Sequence, residues 1–213
     1  MNSFEPHFVL PTTEVRWFQE GELPPSWLRW FEGCPGPWLD EPPRTDSYLI
    51  IKDTDGLGVK YRQGRLEIKQ RLESWGNLQF KDHVQGLVEH WVKWSFELAG
   101  STELPAGFVR RESNWAEVHK LRKLRRYQLK DDGQLVPLTD EANPPDLCEV
   151  ELTKISNGEQ PWWSLAFEAP GEKQASYKVM CAVASQLFDL EGAPELNTSN
   201  SYGYPRWLAN QRQ

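Results

Sequence analysis

Polar and apolar residues alternate over several short segments of the chain, which is typical of β-strands with two different faces. Residues 12–18 alternate in this way, and one face of the predicted strand is formed by Thr12, Glu14, Arg16 and Phe18. Apolar and β-branched residues predict another strand over residues 46–52. Strands of the alternating kind place their polar side chains together on one surface of a sheet.

Residues 57–72 form the clearest local unit, two alternating segments joined by Gln63-Gly64. A two-residue turn of this type predicts a β-hairpin that pairs Arg62 with Arg65 across the ladder. The polar face of this hairpin holds four cations beside one acid, namely Lys60, Arg62, Arg65 and Lys69 beside Glu67. Because like charges directly opposite each other are unfavourable, the arginine pair predicts either open solvent at the hairpin end or an anion between the two side chains.

The most basic segment of the chain spans residues 115–130. As a strand, it places Lys120 and Arg122 on one face; as a helix, its apolar stripe is poor. The turn residues 131–133 and the apolar residues 135–138 that follow predict a second hairpin. We therefore favour the strand.

Two later segments, residues 147–155 and 163–168, alternate and carry acids. Glu149 and Glu151 share one face of the first predicted strand, and Glu168 lies on the polar face of the second. The sequence therefore predicts carboxylates on late strands and cations on middle strands.

Apolar residues at spacings of three and four predict a helix over residues 83–99, with Gly100 as its stop, and a second helix over residues 172–188. Prolines, glycines and tryptophans indicate an irregular loop over residues 19–45 with one helical turn inside it. The last segment, 189–213, is rich in turn residues and is expected to pack back through its aromatic side chains.

At least seven predicted strands and two covering helices, with no internal repeat and no linker, indicate one domain over residues 1–213. We expect an α+β fold, an antiparallel β-barrel or tunnel of about eight strands with covering helices. Closure of the sheet would turn its polar faces into a lumen lined by cations and carboxylates. Unpaired charges there would be costly, so the lumen is expected to hold water, a polyanion and a divalent metal.

Charge is segregated along a chain whose formal net charge is −7. Residues 57–130 carry 15 Lys or Arg against 8 acids, and the segments on either side are acidic. An acidic protein is a poor general binder of nucleic acid, whereas a local group of cations suits a small phosphorylated anion. The alternative is that these charges form solvated, mutually paired surfaces.

Motifs of other chemistries are absent from the sequence. It contains no P-loop, dinucleotide-binding, zincin or hydrolase-elbow motif. His119 is a candidate general base, with a surface role as the alternative. Three distant cysteines, no apolar span and no secretory signal in the first residues predict a cytoplasmic protein with reduced thiols and no membrane partner.

The order of these segments over residues 12–190 resembles the CYTH or triphosphate tunnel superfamily, whose members are closed antiparallel β-tunnels. The resemblance is carried, in chain order, by Thr12-x-Glu14-x-Arg16 in the place of an opening E-x-E-x-K strand, Val59-Lys60-Tyr61-Arg62, Leu66-Glu67-Ile68-Lys69, Lys120-Leu121-Arg122 for a K-x-R strand, Glu149-Val150-Glu151 for an acidic pair, and Phe167-Glu168 for the last acidic strand. The chain departs from the family pattern at Thr12, which replaces an acid, at Arg16, which replaces a lysine, and at Ala166, where a further acid is frequent.

The resemblance implies hydrolysis of a triphosphate or polyphosphate, or release of pyrophosphate from a nucleotide, by electrostatic catalysis. It implies Mg²⁺ or Mn²⁺ as the cofactor, held by carboxylate oxygens. The candidate phosphate-binding residues are Arg16, Lys60, Arg62, Arg65, Lys69, Lys120 and Arg122. The candidate metal ligands are Glu14, Glu149, Glu151 and Glu168.

Missing acids weaken metal-dependent catalysis more than they weaken anion binding, because metal affinity depends on the number of carboxylates. We therefore expect a basic tunnel that binds a polyphosphate or another phosphorylated anion. Metal-dependent triphosphate hydrolysis, non-catalytic anion binding and a protein-interaction module with the same barrel stay open as functions.

Overall fold

A computed structural model describes residues 8–97, 114–139, 142–158 and 160–211 of the chain. The strands are β1 (Phe8–Glu20), β2 (Leu39–Asp40), β3 (Arg44–Leu49), β4 (Leu57–Arg62), β5 (Arg65–Lys81), β6 (Val84–Glu97), β7 (Trp115–Leu129), β8 (Leu135–Pro137), β9 (Leu147–Ser156) and β10 (Pro161–Pro170). The α-helices are α1 (Pro25–Gly33), α2 (Lys173–Phe188) and α3 (Tyr204–Asn210). None of the helices in these ranges is long and apolar enough to cross a membrane.

Eight of the strands close into an antiparallel barrel in the order β3-β4-β5-β6-β1-β10-β9-β7, and β7 pairs back with β3. The short strands β2 and β8 pair with β7 outside this ring. The α+β barrel of about eight strands predicted from the sequence is thus confirmed. Because β3 and β4 stand four places from β1 and β10 in the ring, these two pairs of strands face each other across the interior.

The helix predicted over residues 83–99 is wrong for the described residues of that segment, which form strand β6; residues 98–99 lie outside the described part. β6 pairs with β5 on one side and with β1 on the other. One face of β6 packs Val84 and Val88 into a hydrophobic cluster, and the other presents Trp91 and Lys93 to the barrel interior. Apolar residues on both faces of a buried strand also recur at spacings of three and four, and this produced the helical pattern.

Several predicted boundaries shift in the structure. β1 extends the predicted strand at both ends, and β5 continues through bulges well beyond residue 72. The predicted loop over residues 19–45 contains the helix α1 and the short strand β2. The hairpin of β4 and β5, the strand β7 and the helix α2 lie where the sequence predicts them.

Two hydrophobic clusters lie on opposite sides of the barrel wall. The larger cluster packs α1 and α2 onto the outer face of the barrel, where Val15, Trp17 and Phe167 alternate with inward polar residues. The smaller cluster seats α3 against the inward residues Phe18 and Val118. Apolar burial on the outside of the wall therefore supports the barrel and leaves much of its interior to polar side chains.

Candidate functional site: a charged cavity in the barrel

A cavity of about 620 Å³ lies inside the barrel. Six of the seven candidate phosphate-binding residues line it, namely Arg16, Lys60, Arg62, Lys69, Lys120 and Arg122. All four candidate metal ligands line it as well, namely Glu14, Glu149, Glu151 and Glu168. These side chains line the same cavity because residues two apart on one strand point to the same side of the sheet.

The seventh candidate, Arg65, lies outside the cavity. It is half-exposed near the hairpin turn and forms an ion pair with Glu97 at 3.1 Å. Arg62, its partner across the ladder, instead pairs with Glu67 at 3.1 Å. The two arginines predicted to oppose each other therefore do so, and separate carboxylates compensate their charges.

One side of the cavity, here called the basic wall, holds more cations than acids. It consists of five cations from β3, β4, β6 and β7 around two carboxylates, namely Arg44, Lys60, Arg62, Lys93 and Lys120 around Asp46 and Glu67. Asp46, which is fully buried, lies 3.0 Å from the ammonium of Lys120 and 3.5 Å from the guanidinium of Arg44. Within the described ranges, Lys93 makes no ion pair closer than 4.0 Å, and its ammonium lies over the ring of Phe8.

Two lysines of the basic wall are incompletely compensated. Burial lowers the pKa of Lys60 to about 8, although Glu67 and Asp46 partly offset this effect. Burial likewise lowers the pKa of Lys120 to about 8, against the opposing effect of Asp46. Burial alone would raise the pKa of Asp46, but Lys120, Lys60 and Arg44 outweigh it and lower that pKa far below its usual range. The carboxylate is thus held charged while the cations compete for it.

Acids line up on the facing side, here called the acidic wall. Glu89, Glu14, Glu168 and Glu149 are direct neighbours across β6, β1, β10 and β9. Glu151, one pair further along β9, points into the same cavity. Like charges side by side in a sheet repel, so this row needs cations within reach.

The protein supplies a cation to each acid of this wall. The ammonium of Lys69 lies 2.6 Å from Glu14 and 3.4 Å from Glu168. The remaining pairs are Arg16 with Glu151 at 2.8 Å, Arg122 with Glu151 at 2.7 Å, Arg126 with Glu149 at 3.1 Å and Arg71 with Glu89 at 2.6 Å. Burial would lower the pKa of Lys69, but Glu14 and Glu168 outweigh it and raise that pKa.

Carboxylate oxygens are the ligands that Mg²⁺ and Mn²⁺ prefer, so the acidic wall is the place to test the predicted metal. Each of its acids is already bonded to a side-chain cation. In the part of the chain that the structure describes, no group of three His, Cys, Asp or Glu side chains is arranged to hold a metal ion. As arranged here, these residues do not fit a divalent ion.

Helix α3 closes one side of the cavity with Tyr204, Pro205 and Leu208. The ring of Tyr204 stacks on Tyr48 with centroids 5.5 Å apart. The ammonium of Lys120 lies 3.9 Å from the centroid of Tyr204, a cation–π contact that holds this lysine in place. The expectation that the C-terminal segment packs back through its aromatic side chains is therefore correct for the described residues.

Several cavity residues were not singled out from the sequence. Lys93 was placed on a predicted helix, and only the alternation of β6 would have put it beside Trp91 on one inward face. Arg44 fell in the predicted loop, where no local pattern marks it. Tyr204 belongs to the aromatic tail that was expected to pack back, but it was not predicted to line a cavity. His119 is exposed on the outer face of β7 and bonded to Thr45 at 2.7 Å, which agrees with its surface alternative.

No protein-family model matches the chain, and no curated protein matches it. The function is therefore inferred from the geometry and charge of the cavity together with the sequence motifs.

Proposed function

We propose that the barrel cavity binds a small ligand that carries several phosphate groups, either a polyphosphate or a phosphorylated small molecule. The observation that carries this proposal is the basic wall, where four of the five cations pair with Asp46 or Glu67 and the fifth, Lys93, has no ion pair closer than 4.0 Å among the described residues. Arg44 has one further carboxylate partner, Glu41 at 3.3 Å. The proposal extends to the place of the chain in the CYTH superfamily, which the closed barrel and the position of its charged residues support.

The physical argument concerns cations in the cavity whose charge or N–H groups are incompletely compensated. Moving a cation out of water costs several kcal/mol unless an anion compensates it. Lys93 is half-buried and makes no ion pair closer than 4.0 Å among the residues described, so Glu67 and Glu168 offset its charge only from a longer distance. The Nε–H groups of Arg16 and Arg122 are buried without an acceptor in the same part of the chain. A polyanion would supply the missing acceptors, since phosphate oxygens accept charge-assisted hydrogen bonds from lysine and arginine.

Size restricts the ligand class further. A cavity of about 620 Å³ falls within the range of roughly 300–1,000 Å³ that is typical of small-molecule sites. Strands and α3 surround it, so a short chain of phosphates fits its shape better than a folded nucleic acid. The net charge of −7 points the same way, because general nucleic-acid binding depends on a positive surface.

Lys93→Ala tests this proposal by calorimetric titration of tripolyphosphate. We expect roughly tenfold weaker binding, because one charge-assisted contact is lost. Folding should be unchanged, since removal of Lys93 leaves no ion-paired acid without its partner. The matched control is Lys154→Ala, which removes a half-exposed lysine from the outer face of β9 and should bind like the wild type.

Wild-type affinity in a folded Lys93→Ala variant, or no binding by the wild-type protein, would overturn the proposal. Phosphate release from tripolyphosphate in the presence of Mn²⁺ would distinguish a triphosphatase from a binding protein. An interaction module with solvated charges would show neither binding nor release.

A further inference from the structure

Lys69 occupies the centre of the acidic wall. Its ammonium reaches Glu14 at 2.6 Å and Glu168 at 3.4 Å, and these two residues are paired directly across β1 and β10. Two neighbouring carboxylates bridged by one cation form the arrangement that a metal ion would otherwise complete. Here a side chain of the protein already supplies that positive charge.

The other acids of the wall are held in a comparable way. Both carboxylate oxygens of Glu151 accept hydrogen bonds, one from Arg16 at 2.8 Å and one from Arg122 at 2.7 Å. The Arg16 side chain is only 6% exposed. A metal that took Glu151 would leave a buried guanidinium without its carboxylate, and breaking a buried ion pair in this way is strongly unfavourable.

We propose that Lys69 is the resident cation of the acidic wall and that the cavity binds its polyanion without a divalent metal. The second part of this inference rests on the proposed function. The two walls then have different main roles: the cations of the basic wall contact the ligand, and Glu14, Glu168 and Glu151 of the acidic wall are compensated by Lys69, Arg16 and Arg122. The two arginines keep one Nε–H group each that a ligand can reach as an acceptor.

Titration of Mn²⁺ alone tests the role of Lys69 without any phosphate ligand. Wild-type protein is expected to bind Mn²⁺ weakly, whereas Lys69→Met should bind it at least roughly tenfold more tightly, because Glu14 and Glu168 lose their shared cation. Lys154→Met on the outer face of β9 is the matched control and should behave like the wild type. Tight Mn²⁺ binding by the wild type, or no gain in a folded Lys69→Met variant, would overturn the assignment.

Titration of tripolyphosphate in resin-treated, metal-free buffer tests the second part. We expect binding there, and weaker apparent binding once Mn²⁺ exceeds the ligand, because Mn²⁺ sequesters phosphate oxygens. Binding that is at least roughly tenfold tighter with Mn²⁺ than without it would overturn metal-free recognition and leave the proposed function standing. Absence of binding in both buffers would overturn the proposed function itself, while the Mn²⁺ titration of Lys69→Met would still decide the role of Lys69.

Glu168→Gln gives a second variant that keeps the shape of the side chain. If Glu168 only compensates Lys69, metal-free binding of tripolyphosphate should be unchanged or a few-fold tighter, because a negative charge facing the ligand is removed. If Glu168 is a metal ligand on which binding depends, the variant should lose the binding of tripolyphosphate that the wild type shows in the presence of Mn²⁺. Glu117→Gln, on the outer face of β7, carries the same change of charge outside the cavity and is the control.

Discussion

Lys60 and Lys120 are cavity cations whose charge changes near neutral pH. Burial lowers the pKa of each ammonium to about 8, far below the usual value for lysine. The arginines of the same wall stay charged throughout this range. The change with pH in the positive charge that this wall offers to an anion therefore comes from these two lysines.

Affinity for tripolyphosphate is expected to fall as pH rises. Between about pH 7 and about pH 9.5 Lys60 and Lys120 lose their protons, so roughly tenfold weaker binding should be measured by calorimetry at the upper pH. Binding near pH 8.5 should also take up protons, because a bound anion raises the pKa of a neighbouring ammonium.

Lys60→Arg is the control for this pH dependence, because an arginine stays charged at both pH values. The variant should lose part of the decline between them. A decline of equal size in wild type and variant would contradict the role of Lys60. In the free protein these two lysines act on stability with the opposite sign: because an unfolded lysine binds more protons than either of them between about pH 8 and about pH 10.5, their own contribution to folding stability rises with pH over that interval.

At the scale of single elements, β6 shows where the sequence pattern was ambiguous. Its apolar residues face both an outer hydrophobic cluster and the barrel interior. Helical spacing and a strand buried on both faces then give the same pattern. Gly86 distinguishes a strand from a helix here, because in the barrel it lies directly against the ring of Trp17 on the outer face.

Gly86→Ala tests the assignment of β6 as a strand. A methyl group at this position would overlap the ring of Trp17 and the side chain of Val15, so unfolding in urea should show a loss of about 1–3 kcal/mol in stability. In an exposed helix the same substitution would stabilise the protein by up to about 1 kcal/mol. A strand and a helix at this position therefore predict opposite signs for the change in stability.

Gly33→Ala provides the comparison, because an added methyl group at Gly33 has no atom within 4 Å. Because Gly33 is the exposed last residue of α1, the stability of this variant should equal that of the wild type or exceed it by up to about 1 kcal/mol. A Gly86→Ala variant as stable as Gly33→Ala would contradict the close contact with Trp17.

On the scale of the whole molecule, the barrel is supported from outside. The larger hydrophobic cluster lies between the wall and the helices α1 and α2, whereas much of the interior is charged. The cations of the basic wall repel one another across the cavity, so the free protein is less stable than its apolar burial alone would make it. A ligand that compensates them should stabilise the entire fold.

Tripolyphosphate is therefore expected to raise the melting temperature. At a concentration of about one hundred times Kd, a ligand that binds only the folded state stabilises it by about 2.7 kcal/mol. For a chain of this size that corresponds to a shift of about 5–10 °C in a calorimetric scan.

Lys93→Ala should show a smaller shift than the wild type at the same concentration of tripolyphosphate, because its affinity is lower. An equal shift in the two proteins would place the bound anion outside the cavity. Sodium chloride at matched ionic strength corrects for general effects of salt.

The sequence by itself determined the alternation of the charged strands. Thr12, Glu14, Arg16 and Phe18 share a face because side chains two apart on a strand point the same way, and this local rule holds in any sheet. The same rule placed Lys120 beside Arg122 and Glu149 beside Glu151. Most of the candidate site could be predicted for this reason.

Only the tertiary structure decided which charges meet. Closure of the barrel brings Lys69 to Glu14 and Glu168, and it brings Asp46 to Lys120, residues that are far apart along the chain. Arg44 and Lys93 join the cavity because β3 and β6 are part of the ring, which neither loop composition nor helical spacing could reveal. Charge interactions depend on distance and burial, and both are properties of the closed barrel rather than of any single segment.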